Sequence, residues 1–339
     1  MIFYLKVFLL SLFLSLLLVP IIRYISIKLN NVDRPTDIKT HKGVVPLSGG
    51  IAVFVAFSVS LFIVRFSTSF PTGTLRDIRY ILLGAFLILL IGVIDDFKKP
   101  KGISAGIKFF LEIIIAIFMI SRGFSINFIK PDHFALVLSV IWIVGITNSF
   151  NIIDIMDGLS SSQIFIAAIS FLIISIPTEA IYVNVLSASI AGAILGFIPY
   201  NMSNRFKIFL GDSGSLFAGF LISIISLGVG YSDKNPLAVY VPILILSVPI
   251  FDTTYVSIMR IKSGISPFKG TKDHFALRLE SMGFERKKIV LLTFIFSFIV
   301  SMISFLITRV SFKVSIFLYM CIFIFFVFVA KIVSKVKIS

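Results

Sequence analysis

Apolar stretches long enough to cross a bilayer recur along nearly the whole chain, and they constrain the fold more than any other feature. Eleven of them, each of roughly 17–25 residues, fit the sequence at about 3–25, 47–66, 78–94, 104–121, 134–150, 159–176, 181–199, 214–231, 237–258, 289–308 and 314–333. In lipid every backbone polar group must be satisfied within its own segment or a closed barrel. Runs of this length and uniformity therefore predict an all-α polytopic bundle of about eleven transmembrane helices. The first run lacks a small-residue cleavage site and is read as a helix that is kept. No linker or repeat interrupts the pattern, and the longest loop, about 260–288, is too short to fold alone. We read residues 1–339 as one integral membrane domain.

Charge gives the orientation. The chain carries 31 Lys and Arg against 16 Asp and Glu, a net charge of +15. Such an excess could suit nucleic acid, but its distribution points to the bilayer. Loops following odd-numbered spans, with the C-terminal tail, hold 22 of the 31 basic residues and the opposite loops hold 9. The richer side is expected in the cytoplasm, with the N-terminus outside and the C-terminus inside a plasma (inner) membrane. Nucleic acid is not expected as a partner. The single cysteine, Cys321, lies in an apolar run, which leaves no disulfide framework or thiolate metal site.

Polar residues then gather on the basic side. Asp95 and Asp96 end the third span. Asn148, Asn151, Asp154 and Asp157 follow at intervals of three, in a stretch with no Lys or Arg between Lys130 and Arg205. Gly211-Asp212-Ser-Gly-Ser215 opens the eighth span, and Asp252 lies at the inner end of the ninth. Ionisable groups at the edge of apolar spans are costly and mark function by default. Two carboxylates about 4 Å apart repel by about 4 kcal/mol at an effective dielectric of 20. A cluster of this kind needs cations. Oxygen ligands favour Mg²⁺ or Mn²⁺, and three well-separated histidines (His41, His133, His274) argue against zinc.

Basic residues suited to phosphate lie in the same loops. Lys39 and His41 stand in a loop that ends at Gly49-Gly50, and Lys108 stands just inside the fourth span. Arg260, His274 and Arg278 belong to the last inner loop, where His274 and Arg278 would share one face of a short helix. The open N–H groups and hydroxyls of Ser213 and Ser215 would suit phosphate too. Each stretch alone also has a plain structural reading, as a membrane anchor, a helix cap or an interfacial helix.

Taken in order, these motifs resemble those of the polyprenyl-phosphate N-acetylhexosamine-1-phosphate transferases over nearly the full chain. The match runs through Asp33, Pro35, Lys39, His41, Pro46, Gly49 and Gly50, then Gly92, Asp95 and Asp96, followed by Ser104 and Lys108. It continues through Asn148, Asn151, Asp154, Asp157, Gly158 and Leu159, through Phe209 to Ser215, and ends with Pro249, Asp252, Arg260, Ser266, Pro267 and Phe268. Ile155 departs from the family's usual glycine, and the last loop keeps only His274 and Arg278 of a histidine cluster.

The resemblance implies transfer of a sugar 1-phosphate from a UDP-N-acetylhexosamine to polyprenyl (undecaprenyl) phosphate, with release of UMP, in cell-envelope polysaccharide synthesis. It implies Mg²⁺ held by Asp212 and Asn151, with Mn²⁺ as a substitute. Asp95 would take the acceptor's proton with Asp96 in support, and Asp154 and Asp157 would hold the uridine and the floor of the site. Asn148 would contact substrate, and Lys39, His41, Lys108, Arg260, His274 and Arg278 would face phosphates. The implied partners are the UDP-sugar, the polyprenyl phosphate, the bilayer and, as one allowed assembly, a second copy in a homodimer. The sequence before Gly49 and after His274 favours N-acetylglucosamine over the phospho-N-acetylmuramoyl-pentapeptide reaction of wall synthesis. An ion-coupled transporter would instead place its carboxylates near the midplane and show a repeat between halves.

Overall fold

The structure, a computed structural model, describes all residues except 35–42, 100, 179, 232–234, 269 and 337–339. Lys39 and His41 therefore lie outside the described residues. The described chain is helical apart from one short antiparallel pair, β1 (Val32–Asp33) and β2 (Val45–Pro46), in which Val32 faces Pro46. It divides into two compact units, Met1–Val229 and Gly230–Ser339.

The first unit contains α1 (Ile2–Lys28), α2 (Gly49–Ser67), α3 (Thr74–Lys98), α4 (Ala105–Ser121), α5 (Asp132–Ile152), α6 (Leu159–Ser175), α7 (Ile181–Asn201) and α8 (Gly211–Gly228). At its centre is α8, which packs against α2, α3, α5 and α6. Its sequence explains the place: almost every side chain from Gly211 to Ser226 is apolar or small, and all but Asp212 are buried. The hydroxyls of Ser223 and Ser226 donate to carbonyls of their own helix, and Ser226 also accepts from the Trp142 indole of α5, so both can be buried. The N-terminal helix α1 carries Val7, Ser11, Ser15 and Val19, four residues apart, on its buried face and packs against α7 and α2.

The second unit contains α9 (Val241–Ile245), α10 (Ser247–Lys262), α11 (Phe275–Ser281), α12 (Arg286–Ile307) and α13 (Phe312–Ser334). The ninth apolar stretch, expected as one continuous span, is broken here. The helices α9 and α10 meet at 68° around Leu246. Pro249 has no N–H to donate to the carbonyl of Ile245, so the helical ladder is interrupted at this point. Among the described residues nine helices are long and apolar enough to cross a membrane, and the bent pair makes a tenth. The fourth expected stretch is α4, a helix of 17 residues. All eleven apolar stretches coincide with helices, and the protein is a polytopic all-α membrane protein.

Candidate active site

In the first unit the end of α3 meets the start of α8, because two glycines allow the contact. A Cβ on Gly92 would run into the backbone of Ser213 and lie 2.6 Å from the carbonyl carbon of Asp212. Gly211 holds a φ of +74°, and a Cβ there would also lie 2.6 Å from Oδ2 of Asp96. With the helices this close, Asp96 caps α8. Its Oδ1 accepts from the Asp212 N–H and its Oδ2 from the Ser213 N–H, both at 3.0 Å. A carboxylate on two open N–H groups at a helix start is favoured by both hydrogen bonding and the helix dipole. The Ser213 N–H, which the sequence suggested for phosphate, is thus taken by Asp96.

Two lysines join three carboxylates across this junction. Lys99, just past α3, places its Nζ 2.9 Å from Asp96 Oδ1 and 3.0 Å from Asp212 Oδ1. Lys108, in the first turns of α4, places its Nζ 2.9 Å from Asp212 Oδ2 and 3.2 Å from Asp95 Oδ1. Asp95 Oδ1 also accepts from the Ile103 N–H at 2.6 Å, which folds the α3–α4 loop over the site. Asp95 and Asp96 are buried, while Asp212, Lys99 and Lys108 keep some contact with solvent. Burial works against the charge on Lys99, but the carboxylates of Asp212 and Asp96 outweigh it and hold the ammonium well above the usual lysine range. With all five groups ionised, three carboxylates against two ammonium groups would leave the junction one negative charge in excess.

The end of α5 and the α5–α6 loop complete the arrangement. The Asn151 amide donates to Ser215 Oγ at 2.9 Å, and that hydroxyl donates to the Gly211 carbonyl at 3.0 Å. This links α5 to the first turn of α8. Asn148 donates to the carbonyl of Val144 at 2.9 Å and to the Glu112 carboxylate on α4. Asp157 pairs with Lys207 at 2.5 Å, so its neutralising charge comes from the α7–α8 loop, 50 residues on. Asn201 binds this loop to the start of α6: it accepts from the Gly158 N–H at 2.7 Å and donates to the Ile208 carbonyl at 3.1 Å. Burial pushes the carboxyl of Asp154 up to about 8, with the charge of Asp212 adding to it and Lys99 acting against it.

The second unit holds a separate polar group. Asp252 of α10 is fully buried, and accepts from the Phe275 N–H at 3.0 Å and pairs with His274 Nδ1 at 2.8 Å. His274 precedes α11 instead of lying within it. Arg278 is buried against Asp273 at 2.7 Å and the carbonyl of Val336 at 2.6 Å. Arg260 is buried too, donating to Pro267 O at 2.6 Å and Thr271 Oγ1 at 3.0 Å. Both arginines, expected to face phosphates, are engaged in holding the 264–274 loop and the end of α13.

The structure thus joins Asp95, Asp96, Asp212 and Lys108 in one network, sets Asn151 beside it, and adds Lys99, Glu112 and Lys207, which motif reading missed. Lys99 and Lys207 read in the sequence as ordinary basic loop residues. Glu112 did give a signal: it is a lone carboxylate in an apolar span, one helical turn after Lys108.

Among the described residues no three His, Cys, Asp or Glu side chains form a metal cage. The donors at the junction are nevertheless all hard oxygens, and the excess charge is negative. That suits Mg²⁺, which keeps much of its water and uses one or two carboxylates with substrate phosphates.

Fold and site together define a class, a polytopic membrane protein with a lysine-bridged carboxylate centre at the helix ends of one unit. Comparison with known proteins narrows it. Residues 78–230 match the model of glycosyl transferase family 4. The chain is 32% identical over 341 residues, covering 97% of itself and 92% of the relative, to a probable undecaprenyl-phosphate N-acetylglucosaminyl 1-phosphate transferase of Bacillus subtilis. It is 28% identical over 287 residues to the undecaprenyl-phosphate alpha-N-acetylglucosaminyl 1-phosphate transferase of Escherichia coli K12, covering 80% of this chain and 75% of the relative. It is 26% identical over 312 residues to the decaprenyl-phosphate N-acetylglucosaminephosphotransferase of Mycobacterium tuberculosis, covering 83% and 76%. The chain belongs to the polyprenyl-phosphate N-acetylhexosamine-1-phosphate transferases of glycosyl transferase family 4.

Proposed function

We propose that this enzyme transfers N-acetylglucosamine 1-phosphate from UDP-N-acetylglucosamine to undecaprenyl phosphate on the cytoplasmic face of the plasma membrane. An oxygen of the acceptor phosphate attacks the β-phosphorus of the donor. The bond from that phosphorus to the oxygen bridging it to the α-phosphate breaks, UMP leaves with the bridging oxygen, and a lipid diphosphate sugar remains. The observation that carries this reading is the chain of Asp95, Lys108, Asp212, Lys99 and Asp96 across the ends of α3, α4 and α8. Phosphoryl transfer requires positioning and neutralisation of charge, and this junction offers movable cations held in register by fixed carboxylates.

Each residue then has a task. Asp212 and the carbonyl oxygen of Asn151, whose amide nitrogen is engaged with Ser215, would hold Mg²⁺. Bound there, the ion would draw charge from the donor diphosphate as a Lewis acid. Lys99 and Lys108, released from Asp212, would turn to the phosphates. Asp95 would accept the acceptor's proton, while Asp96 holds the start of α8 in place. Asp154 and Asp157 would line the uridine pocket. Lys39 and His41 would meet the diphosphate.

The alternative donor is UDP-N-acetylmuramoyl-pentapeptide. The lone His274 and the Pro46-Leu-Ser-Gly-Gly50 sequence favour the smaller sugar, since the groups around sugar and diphosphate decide which donor is held in line. Purified enzyme given both donors at equal concentration should yield a lipid product with the mass of the N-acetylglucosamine adduct. A predominantly muramoyl-pentapeptide product would refute the donor assignment.

A further inference from the structure

Glu112 is the one carboxylate of α4 and has no part in the reaction as described so far. It is buried at 2% exposure, in the middle of a span where an unneeded charge is costly. One of its oxygens accepts from the amide nitrogen of Asn148, while the other, Oε1, is buried with no hydrogen-bond partner. Asn148 donates at the same time to the carbonyl of Val144. Both amide hydrogens are therefore engaged, which leaves the carbonyl oxygen as the group that Asn148 can offer elsewhere.

An amide can turn over by half a turn with little change of shape, so its neighbours decide which end faces where. In the structure a carboxylate oxygen of Glu112 accepts from this amide, which holds the nitrogen of Asn148 on the Glu112 side. The same logic governs Asn151 one turn along α5, whose nitrogen is held by Ser215 of α8. Two asparagines on one helix face are thus turned the same way by partners on two other helices.

We infer that Glu112 is a positioning residue: through its hydrogen bond it fixes Asn148 so that the amide carbonyl, and not the amide nitrogen, is offered to the bound substrates. A carbonyl oxygen repels phosphate oxygens and accepts from an O–H or N–H. The group it recognises is such a hydrogen, either on the sugar of the donor or on a water carried by the cation. The inference rests on the proposed reaction and deepens it.

Kinetics with UDP-N-acetylglucosamine, alongside melting temperatures in detergent, test it. Glu112→Leu removes the acceptor and should lower kcat/KM about tenfold, the size of one well-placed hydrogen bond, without lowering the melting temperature. Glu112→Gln keeps an acceptor for Asn148 and should recover most of the loss. Asn148→Ala should lose as much as Glu112→Leu, and the double variant should lose no more than Asn148→Ala alone. A rise in KM for the donor assigns the hydrogen to the sugar; a rise in the Mg²⁺ needed for half-activity assigns it to a cation-bound water. Losses that add in the double variant, or that follow the melting temperature, would overturn the inference. If the wild-type enzyme transfers no sugar phosphate, the proposed reaction itself fails. The double-variant comparison, read then as binding of UDP-N-acetylglucosamine by calorimetry, still decides the role of Glu112.

Discussion

Replacing Gly92 by alanine should disconnect the site from its scaffold. The added Cβ would lie 2.6 Å from the carbonyl carbon of Asp212, whereas ordinary contact begins at 3.4 Å. The other neighbours, the Cα and N of Ser213, are closer still and also backbone, so nothing can swing aside and α3 must retreat from α8 by at least about 0.8 Å. The bonds from the Asp212 and Ser213 N–H groups to Asp96 are 3.0 Å long. A retreat of that size takes them to about 3.8 Å, beyond hydrogen-bond range. Two bonds to a charged group are lost, each of about 1.5–3 kcal/mol, and Asp95 moves off with its helix. Displacement of a reacting group by about 1 Å costs about 10²-fold in rate. Gly92→Ala should therefore lower turnover about 100-fold and lower the melting temperature in detergent. Gly106 is the control. It lies in the first turn of α4 with open space where a Cβ would sit, and alanine loses less backbone entropy there than glycine. Gly106→Ala should melt no lower than wild type. A Gly92→Ala enzyme of normal rate would refute the claim that the α3–α8 approach sets the site.

If Mg²⁺ binds at Asp212 as proposed, the raised pKa of Asp154 predicts that this binding releases a proton. With its carboxyl up at about 8, it is mostly protonated at pH 7, and a cation on Asp212 favours its ionised form. Mg²⁺ affinity should rise from pH 6 to pH 8 and level off above, and calorimetry in buffers of different ionisation heat should count about one proton released at pH 7 and almost none at pH 9.5; an equal count at both would refute it. For topology, in a Cys321→Ser background, cysteines at Lys101 and Arg205 should be shielded from an impermeant thiol reagent in intact cells. Cysteines at the exposed Ser69 and Asp132 should react, and the reverse pattern would overturn the orientation.

The fold was legible because its information is local. Lipid demands long apolar runs, and each run announces its own helix. The break at Leu246 was legible too, in Pro242 and Pro249, had the prolines been weighed against the hydropathy. The acidic half of the site could be read since carboxylates stand out in such a chain. Its basic half could be read only in Lys108, and there as a group for phosphate instead of a bridge between carboxylates. Lys99 and Lys108 reach Asp212 across more than 100 residues of sequence, and a lysine in an inner loop looks the same whether it anchors the bilayer or bridges two aspartates. Arg260 and Arg278, expected to face phosphates, donate to carbonyls of their own unit. Only the packing of helices distant in sequence separates these cases.

The central claim is that phosphorus, not only sugar, moves to the lipid. UDP-N-acetylglucosamine labelled with ³²P in the β-phosphate, incubated with purified enzyme, Mg²⁺ and undecaprenyl phosphate, tests it in one extraction. The account predicts that the label passes into the organic phase with the lipid and that the nucleotide released is unlabelled UMP. Label remaining in the aqueous phase as UDP, with sugar on the lipid, would mean attack at the sugar carbon and would contradict the account.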